Sequence, residues 1–179
     1  MSIAFENLHL NQELFDSQLE MICLLAGAAE TRSKETANHV KRVGLIAEFL
    51  AREVGMSERD AEAMRFAAPL HDMGKLGIPD AILNKPGAHT PEETAVMRTH
   101  AELGAQMLGT SKRQLLVLAA EIARTHHENW DGSGYPRGLR GEDIPMPGRI
   151  TMLADVYDAL GSKRCYKEPW PQDQIRRFI

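Results

Sequence analysis

Five of the seven histidines in this 179-residue chain fall on inward faces or at the ends of helical segments, beside carboxylates. No other feature limits the fold as much. His39 follows Glu35 by one turn, so both project from one helical face. His71 and Asp72 are adjacent, His100 lies mid-helix on an otherwise apolar face, and His126 and His127 end a further segment. Asp155 and Asp158 are one turn apart on another. A lone buried histidine is usually a core residue with one hydrogen-bond partner. Five of them in a core with few other polar groups would leave too few partners, so the helices must bring them together. Neutral imidazoles mixed with carboxylates suit Fe, Mn, Zn, Ni or Co and lack the all-oxygen set that Ca or Mg prefers. Glu35, His39, His71, Asp72, His100, His126, His127 and Asp155 offer eight donors where one ion takes three or four. That favours two divalent ions, or three.

The segments that carry these residues read as helices. Residues 1–31 place Leu8, Phe15 and Ile22 seven apart, with Leu14, Leu19 and Leu25 beside that stripe. This is either an amphipathic helix packed on the domain or the end of a coiled-coil signalling linker. A second helix over 33–54 turns Val40, Val43, Ile46, Ala47, Leu50 and Val54 to one side. Ser57 and Asp60 open a third that runs to Met73, with Gly74 and Gly77 ending it. Thr90-Pro91-Glu92-Glu93 combines an N-cap, a proline at N1 and a glutamate at N3. The helix it starts should carry Val96, His100, Leu103 and Met107 on one side and stop at Gly109. Ser111 and Gln114 open the next, with Leu115, Leu118, Ala119, Ile122 and His126 inward. Glu128 to Gly148 reads as loop, a helix resumes at Arg149 and ends near Gly161, and Pro171 begins one more. No segment alternates like a strand, so the expected class is all-α.

Composition bounds the partners. A formal charge of −4 and a pI near 6.0 give no strong field for DNA or an acidic membrane. The two cysteines, Cys23 and Cys165, are too few for a disulfide framework and read as reduced thiols. The N-terminus lacks a basic segment ahead of an apolar core, and the weakly polar run Ile22–Ala29 is far short of the ~20 residues that span a bilayer. The expected location is cytoplasmic, with no membrane partner.

His71-Asp72-Met73-Gly74-Lys75 is the HD-x-GK signature of the HD phosphohydrolases. His126-His127-Glu128, followed by Gly132-Ser133-Gly134-Tyr135-Pro136, resembles the HHE…GxGYP signature of their HD-GYP branch. Glu35-Thr36 with His39, Pro69-Leu70 and the run Ala154–Leu160 complete a resemblance that extends from about Leu19 to Trp170 in the family's order. It implies a compact multi-helix HD-domain bundle with a metal centre in its core, preceded by an N-terminal helix. The boundaries it suggests are residues 1–18 for that helix or linker and 19–179 for the HD-GYP domain, whose closing helices are expected to lie past the end of this chain. It also implies a phosphodiesterase that cleaves cyclic di-GMP, either to linear pGpG alone or onward to GMP, by attack of metal-activated hydroxide on phosphorus. The family's ligands carry over to His39, His71, Asp72, His100, His126, His127 and Asp155. Glu35 matches the carboxylate of members with a third ion.

Two nearby ions lower the pKa of a shared water and offset charge building on phosphorus. Asp72 stands where it can bridge them. Lys75 is either an ammonium for a non-bridging phosphate oxygen or a helix-end lysine favoured by the dipole; the HD-x-GK match favours the first. Arg164 and Lys167 line up with the family's phosphate-contacting basic residues, and otherwise read as ordinary surface charges. In the Trp130–Pro136 loop, Tyr135 or Trp130 could pack a guanine, dock a partner such as a diguanylate cyclase domain, or fold the loop on itself; the loop borders the site. Asp158 orients a neighbour or caps locally, and His9 and His89 are surface residues. Two other functions fit the same motifs: a catalytically weak module that binds the nucleotide or a partner, and an HD hydrolase for another cyclic dinucleotide. An upstream sensor or receiver domain outside this chain and a dimer through the N-terminal helix are further expectations.

Overall fold

Capping residues and apolar stripes set the helix starts along most of this chain. The computed structural model describes residues 3–32, 37–162 and 169–179. Among these the helices are α1 (Ile3–Thr31), α2 (Ala37–Glu53), α3 (Glu58–Ala67), α4 (Asp80–Leu83), α5 (Pro91–Arg98), α6 (His100–Leu108), α7 (Gln114–Thr125), α8 (Met146–Gly161) and α9 (Gln172–Phe178), with no strand. The class is all-α, as expected. Thr90 caps α5 with a complete capping box: the Glu93 amide donates to Thr90 Oγ1 at 3.3 Å and the Thr90 amide to Glu93 Oε2 at 2.8 Å. Ser57 Oγ accepts from the Asp60 amide at the start of α3.

Helix α2 packs on α1, α3 and α8, and α7 lies against α3, α6 and α8. The shared core is built on alanine. Ala47 and Ala51 of α2, Ala61 and Ala67 of α3, Ala119 and Ala123 of α7 and Ala154 of α8 are fully buried around Val40, Val43, Met64 and Ile122. Small side chains let helix axes approach at the near end of the usual 8–10 Å range. At Gly44 the approach is closer still, since a Cβ there would lie 2.6 Å from the Arg65 carbonyl oxygen.

Several boundaries differ from the sequence expectation, each for a local reason. Helix α3 ends at Ala67, not Met73, because Pro69 has no amide to donate; the chain continues as short 3-10 turns over Ala68–Leu70 and Met73–Gly77. The helix expected from Pro91 to Gly109 is two helices that meet at Thr99, whose hydroxyl donates back to the Val96 carbonyl at 2.6 Å. His100 therefore opens α6 instead of standing mid-helix, and Val96 and Met107 are exposed. Helix α8 begins at Met146, with Pro147 in its first turn, so Gly148 is helical. Val54 is exposed beyond the end of α2.

Helix α1 runs unbroken past residue 18. Cys23, Ala26, Ala29 and Glu30 are buried on its inner face, and the Phe15 ring meets Phe66 edge-on at 4.6 Å. Of the expected stripe, Phe15, Leu19 and Ile22 are partly buried, while Leu8, Leu14 and Leu25 face solvent. Among the described residues no helix is long and apolar enough to cross a membrane.

Candidate metal centre

Four helices and one turn converge on one buried point. Helix α2 brings His39; the turn after α3 brings His71 and Asp72; α6 begins with His100; α7 ends against His126, with His127 next; and α8 carries Asp155 and Asp158. The glycine of the HD-x-GK segment is what allows the approach. A Cβ on Gly74 would fall 1.8 Å from the His100 carbonyl oxygen, so no side chain fits there.

Each ring is aimed by its own backbone. His71 Nδ1 lies 2.8 Å from the Ala68 carbonyl, His100 Nδ1 is 2.8 Å from that of Met97, and His126 Nδ1 is 2.9 Å from that of Ala123. A carbonyl can only accept, so these Nδ1 atoms carry protons, all three Nε2 atoms face inward, and those of His100 and His126 present lone pairs. His39 Nδ1 donates instead to Asp158 Oδ2 at 2.7 Å, and Arg42 Nε holds the other oxygen of Asp158 at 2.5 Å. Asp158 thus orients His39, one of the two roles its sequence position left open, and also accepts from the Ser162 hydroxyl at 3.2 Å.

Asp72 sits between two sets of donors. Its Oδ1 is 3.2 Å from His100 Nε2 and 3.7 Å from His126 Nε2, while its Oδ2 is 3.3 Å from His71 Nε2. On the other side of His71, His39 Nε2 is 3.4 Å from Asp155 Oδ1. Among the described residues, three groups have donor atoms within 4.8 Å of one another: Asp72, His100, His126 and His127; His39, His71 and Asp155; and Glu30, His71 and Asp72. His71 Nε2 and Asp72 Oδ1 are buried with no hydrogen-bond partner. His100 and His126 point Nε2 at each other at 3.5 Å although both are protonated at Nδ1. Facing lone pairs and an orphaned carboxylate oxygen repel one another unless a cation lies between them. The donor set therefore fits divalent metal ions.

The charges agree. Burial pushes His126 down, and burial with the neighbouring His126 and His100 pushes His127 to about 2, so both stay neutral. Burial also opposes charge on His71, but Asp72 overcomes it and raises His71 to about 9. Burial would raise Asp72, yet Lys75 and His71 hold it well below the usual aspartate range. Lys75 Nζ is 2.5 Å from Asp72 Oδ2.

The loop after His127 closes over the centre. Glu128, buried to 1%, accepts the Arg137 and Leu139 amides at 2.8 and 2.9 Å, which pins the loop from below. Gly134 passes so close that a Cβ would lie 2.3 Å from the Asn129 amide nitrogen. The Tyr135 ring stacks on His127 at 4.6 Å and 25°, with the Arg98 guanidinium 5.0 Å from its centroid. Tyr135 and Arg98 also line an open groove of 880 Å³ along α5 and α6. Trp130 points away, its ring 5.7 Å from Arg149. His9 is exposed beside Glu13, whereas His89 is half-buried with Nε2 2.8 Å from the Ile82 carbonyl.

Arg42, Arg98, Glu128 and Glu30 of the neighbourhood had no role in the sequence analysis. Glu128 was part of a motif without a function. Glu30 passed unnoticed, although a carboxylate on the packed face of α1 beside Ala26 and Ala29 is a readable signal of a buried partner. Glu35, Arg164 and Lys167 lie outside the described residues.

The chain is similar to several known proteins. Residues 23–175 match the family described as HD domain. Over its full length the chain is 52% identical to the 3'3'-cGAMP-specific phosphodiesterase 2 of Vibrio cholerae, of which it covers 34%. It is 48% identical, across 93% of its residues, to a cyclic di-GMP phosphodiesterase of Thermotoga maritima, of which it covers 45%. A solved HDG"Y"P protein of Bdellovibrio bacteriovorus superposes on 68% of the chain with a TM-score of 0.56 and 28% identity, the chain covering 40% of it. The chain thus spans less than half the length of each of these relatives.

Proposed function

The chain belongs to the HD domain family, in its HD-GYP branch, and from that membership we propose that it is a metal-dependent phosphodiesterase acting on cyclic dinucleotides. One observation carries the reading. The Nε2 atoms of His71, His100 and His126 converge on the two oxygens of Asp72, with a cationic Lys75 beside them.

His100, His126, His127 and Asp72 would hold one ion, His39, His71 and Asp155 another, and Asp72 would touch both; Glu35 is proposed as the extra ligand if a third ion binds. When bound, such ions supply Lewis-acid activation of water and offset negative charge on the phosphoryl oxygens. The chain's own residues do the rest. Lys75 presents an ammonium to a non-bridging phosphate oxygen. Asp158 keeps the proton of His39 on Nδ1, leaving Nε2 free to ligate. Tyr135, packed on His127, forms one wall of the site, and a nucleoside passing it enters the groove beside Arg98. Arg164 and Lys167 are proposed as further phosphate contacts.

Cyclic di-GMP is the proposed substrate, which suits a site built for a dianionic diester. A second reading, 3'3'-cGAMP, is favoured by the Vibrio relative at 52% identity. Protein purified without chelators and loaded with Mn or Fe is incubated with cyclic di-GMP, 3'3'-cGAMP and cyclic di-AMP, and the products are chromatographed. Conversion of cyclic di-GMP to pGpG at the highest kcat/KM is expected. Preference for 3'3'-cGAMP would replace the substrate but keep the reaction. Tight binding with unchanged nucleotides throughout would make the protein a receptor and end the proposal.

A further inference from the structure

We propose that Glu30, in the last turns of α1, is the positioning residue for Lys75, holding its ammonium at the edge of the metal centre. The inference rests on the reading that Lys75 meets the substrate phosphate.

Glu30 is 2% exposed and its Oε2 lies 3.5 Å from Lys75 Nζ. The same end of α1 also grips the backbone that carries Lys75. Arg32 Nη1 donates to the carbonyls of Lys75 at 3.2 Å and Leu76 at 2.8 Å, and its Nη2 to that of Ile78 at 3.1 Å. Asp80 pairs with the same guanidinium at 2.7 Å. One helix end thus fixes both the Met73–Gly77 turn and the ammonium that projects from it.

The carboxylates around Lys75 are not equivalent once metals are bound. Asp72 lies within 3.7 Å of three imidazole Nε2 atoms, so its lone pairs are committed to cations. Its attraction for Lys75 is then largely cancelled, and the nearby divalent charge repels an ammonium on a flexible four-carbon stem. Glu30 approaches from α1, is not a member of the group formed by Asp72, His100, His126 and His127, and sets a carboxylate oxygen 3.5 Å from the ammonium. The rival role for Glu30 is as a metal ligand, since it also groups with His71 and Asp72. An ammonium and a divalent ion cannot share that space, so the two roles exclude each other.

Glu30→Gln keeps the shape and removes the charge. In protein loaded with Zn, which is diamagnetic and suits the same donors, metal per chain should match the wild type. The Lys75 ammonium signal in lysine-selective ¹H–¹⁵N spectra, assigned by its loss in Lys75→Met, should be sharp in the wild type and broadened away in Glu30→Gln. The value of kcat should fall about tenfold to a hundredfold with KM little changed, Glu30→Asp should recover part of it, and Glu30→Gln should cost nothing more in a Lys75→Met background. Loss of a metal equivalent, an unchanged ammonium signal or additive costs would each overturn the proposal. If Lys75→Met turns over at the wild-type rate, the phosphate-contact reading fails, while the ammonium signal still decides whether Glu30 holds Lys75. Should Glu30→Gln not fold, Glu30→Asp, which draws the charge back by one methylene, is read by the same spectrum and metal analysis.

Discussion

The Nε2 atoms of His100 and His126 face each other at 3.5 Å, each ring fixed in that orientation by its Nδ1 bond to a backbone carbonyl one turn earlier. Without a cation the pair is repulsive, and it is repulsive in a place where neither ring can turn away. The fold therefore stores a demand for metal. Bound ions should stabilise the protein: at a hundredfold excess over Kd the gain is about 2.7 kcal/mol per site. That corresponds to a Tm rise of about 5–10 °C for a chain of this size. Melting curves with Mn and with EDTA check it, and identical curves would remove the metal centre.

Metal binding should release protons. His71, raised to about 9 beside Asp72 in the metal-free protein, is protonated at neutral pH and must lose that proton to ligate. Apparent affinity should therefore rise with pH up to about 9 and flatten above it. Calorimetry at pH 7.5 in buffers of different ionisation enthalpy should report close to one proton per chain from this group, and none from a His71→Ala variant.

Asp72 should be the least replaceable ligand. Asp72→Asn keeps the volume but removes the charge that faces both donor sets, so metal content and turnover should fall together, turnover by a factor of about 10³ or more. Elemental analysis and product chromatography on the same sample decide this. A metal-free variant that still turned over would contradict the mechanism.

Asp158 sets an acid limit on stability. Burial would raise its carboxyl, but hydrogen bonds from His39 and Arg42 outweigh that and hold it at about 2. A group with a depressed folded pKa stabilises above its unfolded value and loses that contribution as pH falls through the folded one. The metal-free wild type should therefore lose about 2 kcal/mol between pH 4 and pH 2 that Asp158→Asn does not lose, by denaturant unfolding.

The loop over the site depends on Glu128. Glu128→Gln places an amide donor against one of the backbone amides of Arg137 and Leu139, in a position buried to 1%. The expected cost is about 2–4 kcal/mol of stability, with a weaker fit of nucleotide as Tyr135 loosens on His127. Unfolding curves and KM measure the two effects.

The sequence alone determined the helical class, the strongest helix starts and the residue types of the centre. These are local facts: a capping box at Thr90, imidazoles beside carboxylates at helical spacing, and a proline or glycine that ends a segment act within a few residues. Tertiary structure decided the rest. Which oxygen of Asp72 meets which histidine depends on the Met73–Gly77 turn touching α6 at Gly74, and that contact joins residues far apart in the chain. The exposure of Leu8, Leu14 and Leu25 followed from which side of α1 meets α2, since an apolar stripe does not say what covers it. Glu30 carried no signal of its role in the sequence, because its significance lies in Lys75, 45 positions later. The five histidines announced a cluster able to hold metal; only packing assigned each ring a partner, because hydrogen-bond direction depends on backbone orientation and not on residue type.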